Sequence, residues 1–374
     1  MKFNRYALSD LATIKYGKNQ KKVLSESGNI PIYGTGGLMG YATTALYDKP
    51  SVLIGRKGTI GKVKYVEHPF WTVDTLFYTI VNTDIVLPKY LYYVMSLIDL
   101  NNYNEGTTIP SLRTETLNRL EFDIPSLVEQ ETILSCLNPI DEKIALNNAI
   151  NNNLFDQAVT LYNNKLETAE DISSTLLGNI ADVKGGKRLP KGKNLTTEPT
   201  SHPYIRVRDL NNVIFASLDS NYEYVDEETQ KTISRYIVSS GDVLISIVGT
   251  IGLTAIVDDT LEAANLTENC VKLTNLKYVT PEYLLLYLRS NAGQEAIAKS
   301  TVGAVQLKLP LKNIQALPVP LLNSKEFTSL NEILAPIFAK ISNNVIENRK
   351  LFDLREAILP KLLSGELDVS AIEL

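Results

Sequence analysis

Histidine and cysteine are scarce in these 374 residues: His68 and His202, Cys136 and Cys270. Two cysteines build neither a disulfide framework nor a cysteine-rich zinc site, and two histidines leave little room for a histidine-based triad or zinc centre. No run approaches 18 consecutive apolar residues, so no membrane span is expected, and residues 1–10 lack the apolar core of a secretion signal. The expected compartment is the cytoplasm. Nor is there an excess of basic charge: 37 basic against 42 acidic residues leave −5, which by itself argues against a generic nucleic-acid binder. What is present is ordinary for packed domains, 44% hydrophobic and 21% charged residues, on a chain long enough for two or three of them.

The charge is unevenly spread. Residues 1–125 carry 14 basic and 11 acidic groups, and 126–175 carry 2 and 8. Residues 176–322 balance at 15 and 15, and 323–374 carry 6 and 8. The acid sits mainly in one segment, and elsewhere the bases cluster.

The chain is an imperfect repeat. Leu11–Lys18 resembles Ile180–Lys187. Val52-Leu53-Ile54 followed by Gly58-Thr59-Ile60-Gly61 matches Val243-Leu244-Ile245 followed by Gly249-Thr250-Ile251-Gly252. Pro88-Lys89-Tyr90-Leu91 matches Pro281-Glu282-Tyr283-Leu284, and the stretch from Gly106 to Pro125 matches that from Gly303 to Pro320. Pro139-Ile140 with Leu154-Phe155-Asp156 matches Pro336-Ile337 with Leu351-Phe352-Asp353. Each half opens with short Val-, Ile-, Tyr- and Thr-rich runs broken by glycine and proline, such as Ser51–Ile54, Val73–Val81, Asp242–Val248 and Val271–Leu273, which predict strands and turns. A short helix is expected after each Pro-x-Tyr-Leu.

Each half ends differently. Ile133, Leu137, Ile140, Ile144, Asn147, Asn151, Leu154, Ala158 and Leu161 alternate steps of four and three, as do Leu330, Leu334, Ile337, Ile341, Asn344, Asn348, Leu351, Arg355, Ile358 and Leu362. This is a heptad seam, the signature of a coiled coil. Asn147, Asn151, Asn344 and Asn348 fall at corresponding seam positions. A polar seam residue selects register, because a wrong register leaves its amide unpaired; the alternative is that these asparagines face solvent. The two helices are expected to pair antiparallel within one chain, with the asparagines at mid-length. Pro360 is expected to interrupt the second helix, Ser364-Gly365 to stop it, and Glu366–Leu374 to lie back against the first repeat.

The candidate chemistry mostly fails. Gly34-Thr35-Gly36-Gly37-Leu38-Met39-Gly40 has the wrong spacing for a dinucleotide loop. Gly55–Val63 is a damaged P-loop, with Arg56 where glycine and Val63 where serine or threonine is needed, and its copy at Gly249–Leu253 loses the lysine as well. No Asp/Asn-Pro-Pro-aromatic tetrapeptide of an amino-methyltransferase occurs. Asp141-Glu142-Lys143 reads as the solvated face of the first long helix, and His68 as a surface turn residue.

What survives is binding. Lys15, Lys18, Lys21 and Lys22 form an acid-free basic loop. It recurs as Lys184, Lys187, Arg188, Lys191 and Lys193, followed by Arg206 and Arg208; Arg56, Lys57, Lys62 and Lys64 form a further cluster. Phosphate contacts use such cations, and counterion release makes them productive; exposed lysines kept for solubility are the plainer explanation of any one cluster. Thr107, Thr108, Ser111 and Arg113 in the loop from Gly106, and Gln306 and Lys308 in the loop from Gly303, supply polar groups able to read bases. As purely structural turns these loops would be packed by Ile109 and Leu307.

At this point the residues resemble type I restriction–modification specificity subunits over essentially the whole chain. The resemblance lies in Ile30–Gly37 with Gly40-Tyr41, Val52–Gly61, Pro69–Thr75, Ile124-Pro125 with Glu129-Gln130, Tyr204–Leu210 and Ile358–Leu367. Around Ser324-Lys325-Glu326 the pair Glu129-Gln130 has no evident counterpart. The resemblance implies an α+β fold of two similar target recognition domains, mixed small sheets with short helices, separated by two long helices in an antiparallel coiled coil with an internal pseudo-twofold repeat. The domains fall at 1–125 and 171–322, the helices at 126–170 and, with the C-terminal tail, 323–374. Each domain is then expected to read one half of a split double-stranded DNA target, with catalysis elsewhere: two modification subunits bind S-adenosylmethionine and methylate adenine, and restriction (motor-nuclease) subunits can join. One copy of this chain per complex is expected, with no cofactor of its own and no membrane partner. The acidic first helix, with Glu129, Glu131, Asp141 and Glu142, is a reasonable docking face for a protein partner. A coiled-coil scaffold without a DNA role, a nucleotide-dependent enzyme, and a methylation-only or orphan specificity subunit remain as alternatives.

Overall fold

A computed structural model describes residues 1–220, 222–304 and 306–369. Val305 of the second loop and residues 370–374 of the tail lie outside the described residues. The chain divides into two compact units, Met1–Lys143 with the chain from Leu351 onward, and Ile144–Lys350.

In unit 1 the order is β1 (Asn4–Ala7), α1 (Leu8–Leu11), β2 (Ala12–Tyr16), β3 (Ile30–Gly34), β4 (Gly37–Ala42), β5 (Ser51–Gly55), β6 (Val63–Val66), β7 (Trp71–Thr72), β8 (Leu76–Val81), α2 (Pro88–Ser96), α3 (Thr114–Asn118) and β9 (Glu121–Ile124), leading into the long α4 (Leu127–Thr168). Strands order β2-β8-β5-β6 in one sheet and β4-β3-β7 in a second, while β1 pairs with β9. The residues of β5 are buried on both faces. Its period of two sends Val52 and Ile54 into the main core with Phe77, Tyr90 and Leu91, and Leu53 into a smaller one with Tyr33, Val66 and Phe70. The expected strand from Val73 is shorter than its run, because a turn at Asp74-Thr75 separates β7 from β8. Helix α2 begins at Pro88 itself, where the missing N–H costs nothing.

Unit 2 repeats the plan. Its order is β10 (Ile172–Leu176), α5 (Leu177–Ile180), β11 (Asp182–Gly185), β12 (Pro203–Ile205), β13 (Phe215–Ala216), β14 (Glu223–Tyr224), α6 (Glu227–Ile233), β15 (Val243–Ser246), β16 (Thr254–Val257), β17 (Asn265–Leu266), β18 (Cys270–Thr274), α7 (Pro281–Arg289), α8 (Asn291–Ser300), α9 (Leu311–Gln315) and β19 (Pro318–Leu322), then α10 (Ser324–Ser364). Sheets order β11-β18-β15-β16-β13 and β14-β12-β17. Val243 and Ile245 enter one core and Leu244 the other, as in β5. The parallel pair β3–β7, Ile32 opposite Trp71, has its copy in β12–β17, Tyr204 opposite Asn265.

Helix α4 opens on a capping box and α10 on a similar pair built from an asparagine side chain. The Ser126 N–H donates to Glu129 Oε2 at 2.9 Å and Ser126 Oγ accepts the Glu129 N–H; Asn323 Oδ1 accepts the Glu326 N–H at 3.0 Å while its amide donates to Glu326 Oε2 at 2.8 Å. Glu326 is thus the counterpart of Glu129 that the sequence comparison missed, because the cap residue changes from serine to asparagine. The seam buries Ile133, Leu137 and Ile140 in unit 1 and Asn147, Asn151, Ala158, Leu330, Leu334, Ile341 and Asn344 in unit 2. One seam assignment shifts: Phe338 is buried where Ile337 was expected, and its ring meets Phe155 edge-on at 6.3 Å. Pro360 does not interrupt α10, which continues to Ser364. Buried Leu359 and Leu362 on either side hold the turn, and Gly365 ends the helix in the left-handed region (φ +78°). Val369 then packs into the unit 1 core with Leu359 and Leu362. No helix among the described residues is long and apolar enough to cross a membrane.

Candidate nucleic-acid interface

Three loops meet at one edge of each unit, and backbone contacts bring them together. In unit 1 the basic loop leaves β2 through Gly17, whose N–H donates to Leu76 O at 3.0 Å, and the Lys18 N–H donates to Thr72 O at 2.8 Å. In unit 2 Gly186 donates to Cys270 O at 3.0 Å and Lys187 to Leu266 O at 2.8 Å. A Cβ at Gly17 would stand 2.0 Å from Val73 O, and at Gly186 2.0 Å from Thr267 O, so both positions need glycine for this approach. The glycine-rich loop after β5 joins the loop from Gly106 through a bridge between Lys57 and Ser111, and the Leu112 N–H donates to Arg56 O at 2.9 Å. The copy bridges Val248 to Lys308, with the Leu309 N–H donating to Ile247 O at 3.0 Å. The loops are anchored by buried Leu112 and Leu309, not by Ile109 and Leu307, which are 60% and 55% exposed.

The cations differ between the units. In unit 1 Lys15, Lys18, Lys21, Lys22 and Lys57 are exposed and make no ion pair among the described residues. Arg56 is tethered, donating to Asp74 O at 2.9 Å and lying 4.9 Å over the Tyr16 ring. Lys62 is exposed on the same loop, Lys64 sits 3.9 Å over the Tyr33 ring, and Arg113 pairs with Glu105 at 3.1 Å beside exposed Thr107 and Thr108. In unit 2 the fold brings acids from distant segments to two cations of the basic loop, Arg188 and Lys193, and a neighbouring acid pairs with a third, Lys184. Arg188 pairs with Glu268 at 2.7 Å, Lys184 with Asp182 at 3.0 Å, and Lys193 with Asp226 at 3.1 Å and with Glu228. Arg206 is turned into the protein against Glu223 and Asp209, and Arg208 reaches the same two carboxylates at 3.4 Å. Lys187 lies 5.5 Å over Tyr236, and Lys191 is exposed without an ion pair among the described residues. Gln306 and Lys308 are exposed at the second loop.

The seam asparagines form a hydrogen-bonded layer in unit 2. Asn147 Nδ2 donates to Asn348 Oδ1 at 2.9 Å and to Glu347 Oε2 at 2.8 Å, and Asn344 Nδ2 donates to Asn151 Oδ1 at 2.8 Å. The partner numbers fall on α10 as they rise on α4, so the helices run antiparallel. In unit 1 Asp141 is not on a solvated face. Arg355 Nη1 meets its carboxylate at 2.9 Å, Lys89 Nζ at 3.3 Å, and the Tyr93 hydroxyl donates to it. Burial pushes the Asp141 carboxyl up, but Tyr93, Arg355 and Lys89 together hold it below its ordinary value. With Asp141 paired inward and Glu129 capping α4, the docking face expected on the acidic helix keeps exposed Glu131 and Glu142.

Sequence reasoning also missed an aromatic wall. Tyr33, Tyr41 and His68 line a cavity of about 660 Å³ with Lys64, and His68 Nε2 lies 3.3 Å from Tyr33 Oη. His68 is an exposed residue on a bend, as expected, and its ring also reaches the Tyr33 hydroxyl; Phe70, two residues on, is buried beside Tyr33.

Two copies of one α+β fold, each presenting the same three-loop edge and each holding part of both long helices, define a duplicated recognition protein. The chain belongs to the family of the type I restriction modification DNA specificity domain, whose model matches residues 2–155 and again 170–351. It is similar to the type I restriction enzyme MjaIX specificity subunit of Methanocaldococcus jannaschii, 24% identical over 358 residues, 87% of this chain and 80% of that one. It is also similar to the HindI specificity subunit of Haemophilus influenzae, 21% identical over 393 residues, 82% of this chain and 84% of the relative. The crystal structure of the type I restriction–modification S subunit from M. genitalium shares the fold, with a TM-score of 0.52 at 19% identity over 97% of this chain and 96% of that one.

Proposed function

We propose that the chain is the DNA-reading subunit of a type I restriction–modification complex and performs no catalysis itself. Its recognition domains, 1–125 and 171–322, each read one half of a split double-stranded target, and the helices at 126–170 and 323–374 set the spacing. The observation that carries this is the double match of the family model to a chain whose two copies close their loops through equivalent bridges, Lys57 to Ser111 and Val248 to Lys308. On this reading exposed Lys15, Lys18, Lys21, Lys22, Lys57 and Lys191 neutralise phosphates. Thr107, Thr108, Ser111 and Gln306 supply hydrogen bonds to base edges, and Ile109 and Leu307 apolar contact to thymine methyls. One copy of the chain works in the cytoplasm with two modification subunits, which hold S-adenosylmethionine and methylate adenine; restriction subunits join where the system also cleaves.

The test is an adenine-methylation map of a host expressing the chain with its matching modification subunit, against the same host without the chain. A split motif that depends on the chain is expected, and exchanging residues 1–125 for those of a relative should change one half alone. Methylation at the same motif without the chain would remove the reading.

A further inference from the structure

Strand β4 carries an irregularity that builds a site. Opposite β3, Pro31 faces Tyr41 and Ile32 faces Gly40, but Tyr33 faces Leu38, so Met39 is one residue too many. A bulge of this kind breaks the period of two. It places Leu38 and Tyr41, three apart in sequence, beside Pro31 and Tyr33 on one face of the hairpin. Together they wall the cavity of about 660 Å³, within the roughly 300–1,000 Å³ of small-molecule sites. Tyr41 is 45% exposed and offers a free ring face, while Tyr33 is buried. Beside them stand a cation and an imidazole: Lys64 Nζ lies 3.9 Å from the Tyr33 ring centroid, and His68 Nε2 lies 3.3 Å from the Tyr33 hydroxyl.

We propose that this cavity is a nucleotide pocket, stacking a base against Tyr41 and holding its phosphate at Lys64 and His68. On the DNA-reading role proposed above, it receives one nucleotide turned out of the bound duplex. Aromatic rings stack any base, and a cation beside them takes the backbone. Lys64 makes no ion pair among the described residues, so an incoming anion is its partner there. The sheet that carries the pocket also packs against the basic loop, on its other face, where Ile32, Ala42 and Trp71 lie. Trp71 Nε1 donates to Lys18 O at 2.8 Å, and Leu24, two residues past Lys22, bridges to Ala42 at the end of β4. Lys18, Lys21 and Lys22 therefore run along the sheet that carries the cavity. The glycine-rich hairpin is peculiar to unit 1; after β12 the chain of unit 2 turns instead through Arg206 and Arg208 and their acidic partners.

The test uses the complex with its modification subunits and a duplex carrying the mapped target, with single mismatches placed in turn through the half read by residues 1–125. A mismatch lowers the cost of extrusion, so one position, distinct from the methylated adenine, is expected to bind about tenfold tighter than the paired duplex. The double variant Tyr41→Ala with Lys64→Ala should lose that gain, and Tyr41→Phe should keep it. The gain at the methylated adenine, which belongs to the modification subunit, should be untouched in every variant. A second arm titrates the complex with dAMP, dCMP, dGMP and dTMP. Binding of a mononucleotide that is lost in the double variant, without any mismatch effect, keeps the pocket and overturns extrusion. No mismatch effect and no mononucleotide binding overturns the pocket. A complex that fails to bind its target contradicts the DNA-reading role, and the mononucleotide arm still decides the pocket.

Discussion

Gly17 and Gly186 show how single residues hold the basic loops in place. Each lies where a Cβ would stand 2.0 Å from a backbone oxygen, which cannot move aside as a flexible side chain could. Gly17→Ala is therefore expected to cost about 1–3 kcal/mol of stability in urea unfolding, the range of overpacked sites. In the complex it should weaken discrimination in the half-site read by residues 1–125. Gly36, with open space around it, is the control: Gly36→Ala should leave stability within about 0.5 kcal/mol or raise it slightly, because alanine narrows the unfolded ensemble. Equal losses at both positions would show that the close approach at Gly17 is not what the glycine serves. The repeat made both glycines visible in the sequence, but not what they do. The clustering of cations was equally visible, whereas their pairing was not. Glu268 lies 80 residues from Arg188, and Asp226 lies 33 from Lys193, so only the fold brings them to the second basic loop.

At the level of elements, the two halves of the stalk are built from different chemistry. Asp141 and Arg355 pair in unit 1; the repeat-equivalent residues in unit 2 are Phe338 and Ala158, both buried and apolar. Tyr93 and Lys89 on α2 join the ionic pair, so α2 is fastened to the stalk by charge in unit 1. A carboxyl in an unfolded chain titrates near about 4, and that of Asp141 lies lower in the fold. Its contribution is thus present above the unfolded value and is lost as pH falls through the native one. The thermal midpoint of the wild-type chain should therefore fall more steeply from about pH 5 to about pH 3 than that of Asp141→Asn, and the gap between them should close toward acid. Parallel curves would mean that Asp141 is not ionised in the pair. The heptad steps displayed the helices and their asparagine layer in advance because burial on a seam imposes a period. Asp141 was misread as solvated because its partners come from α2 and α10, which no local pattern connects. Pro360 was misread for a related reason: the packing of Leu359 and Leu362 overrides a local helix breaker.

For the whole molecule, the consequence of the repeat is that the chain passes between its compact units twice, at residues 143–144 and 350–351, and both times in the middle of a long helix. If these helices set the spacing between the two half-sites, their length and not the loops determines the spacer. Seven residues inserted after Lys143 and seven after Lys350 preserve the 3.5-residue seam and the pairing of Asn147 with Asn348 and Asn151 with Asn344. At 1.5 Å per residue they add about 10 Å of helix, close to the length of about three base pairs of duplex. The methylation map of the lengthened chain should keep both half-site sequences and show a longer spacer between them. Insertion into α4 alone breaks the match between the two seams, strands the buried asparagine amides, and should abolish methylation with loss of the folded chain. Half-site letters that change while the spacer stays constant would assign the spacing to the recognition folds themselves, and the paired helices would then serve only to join them.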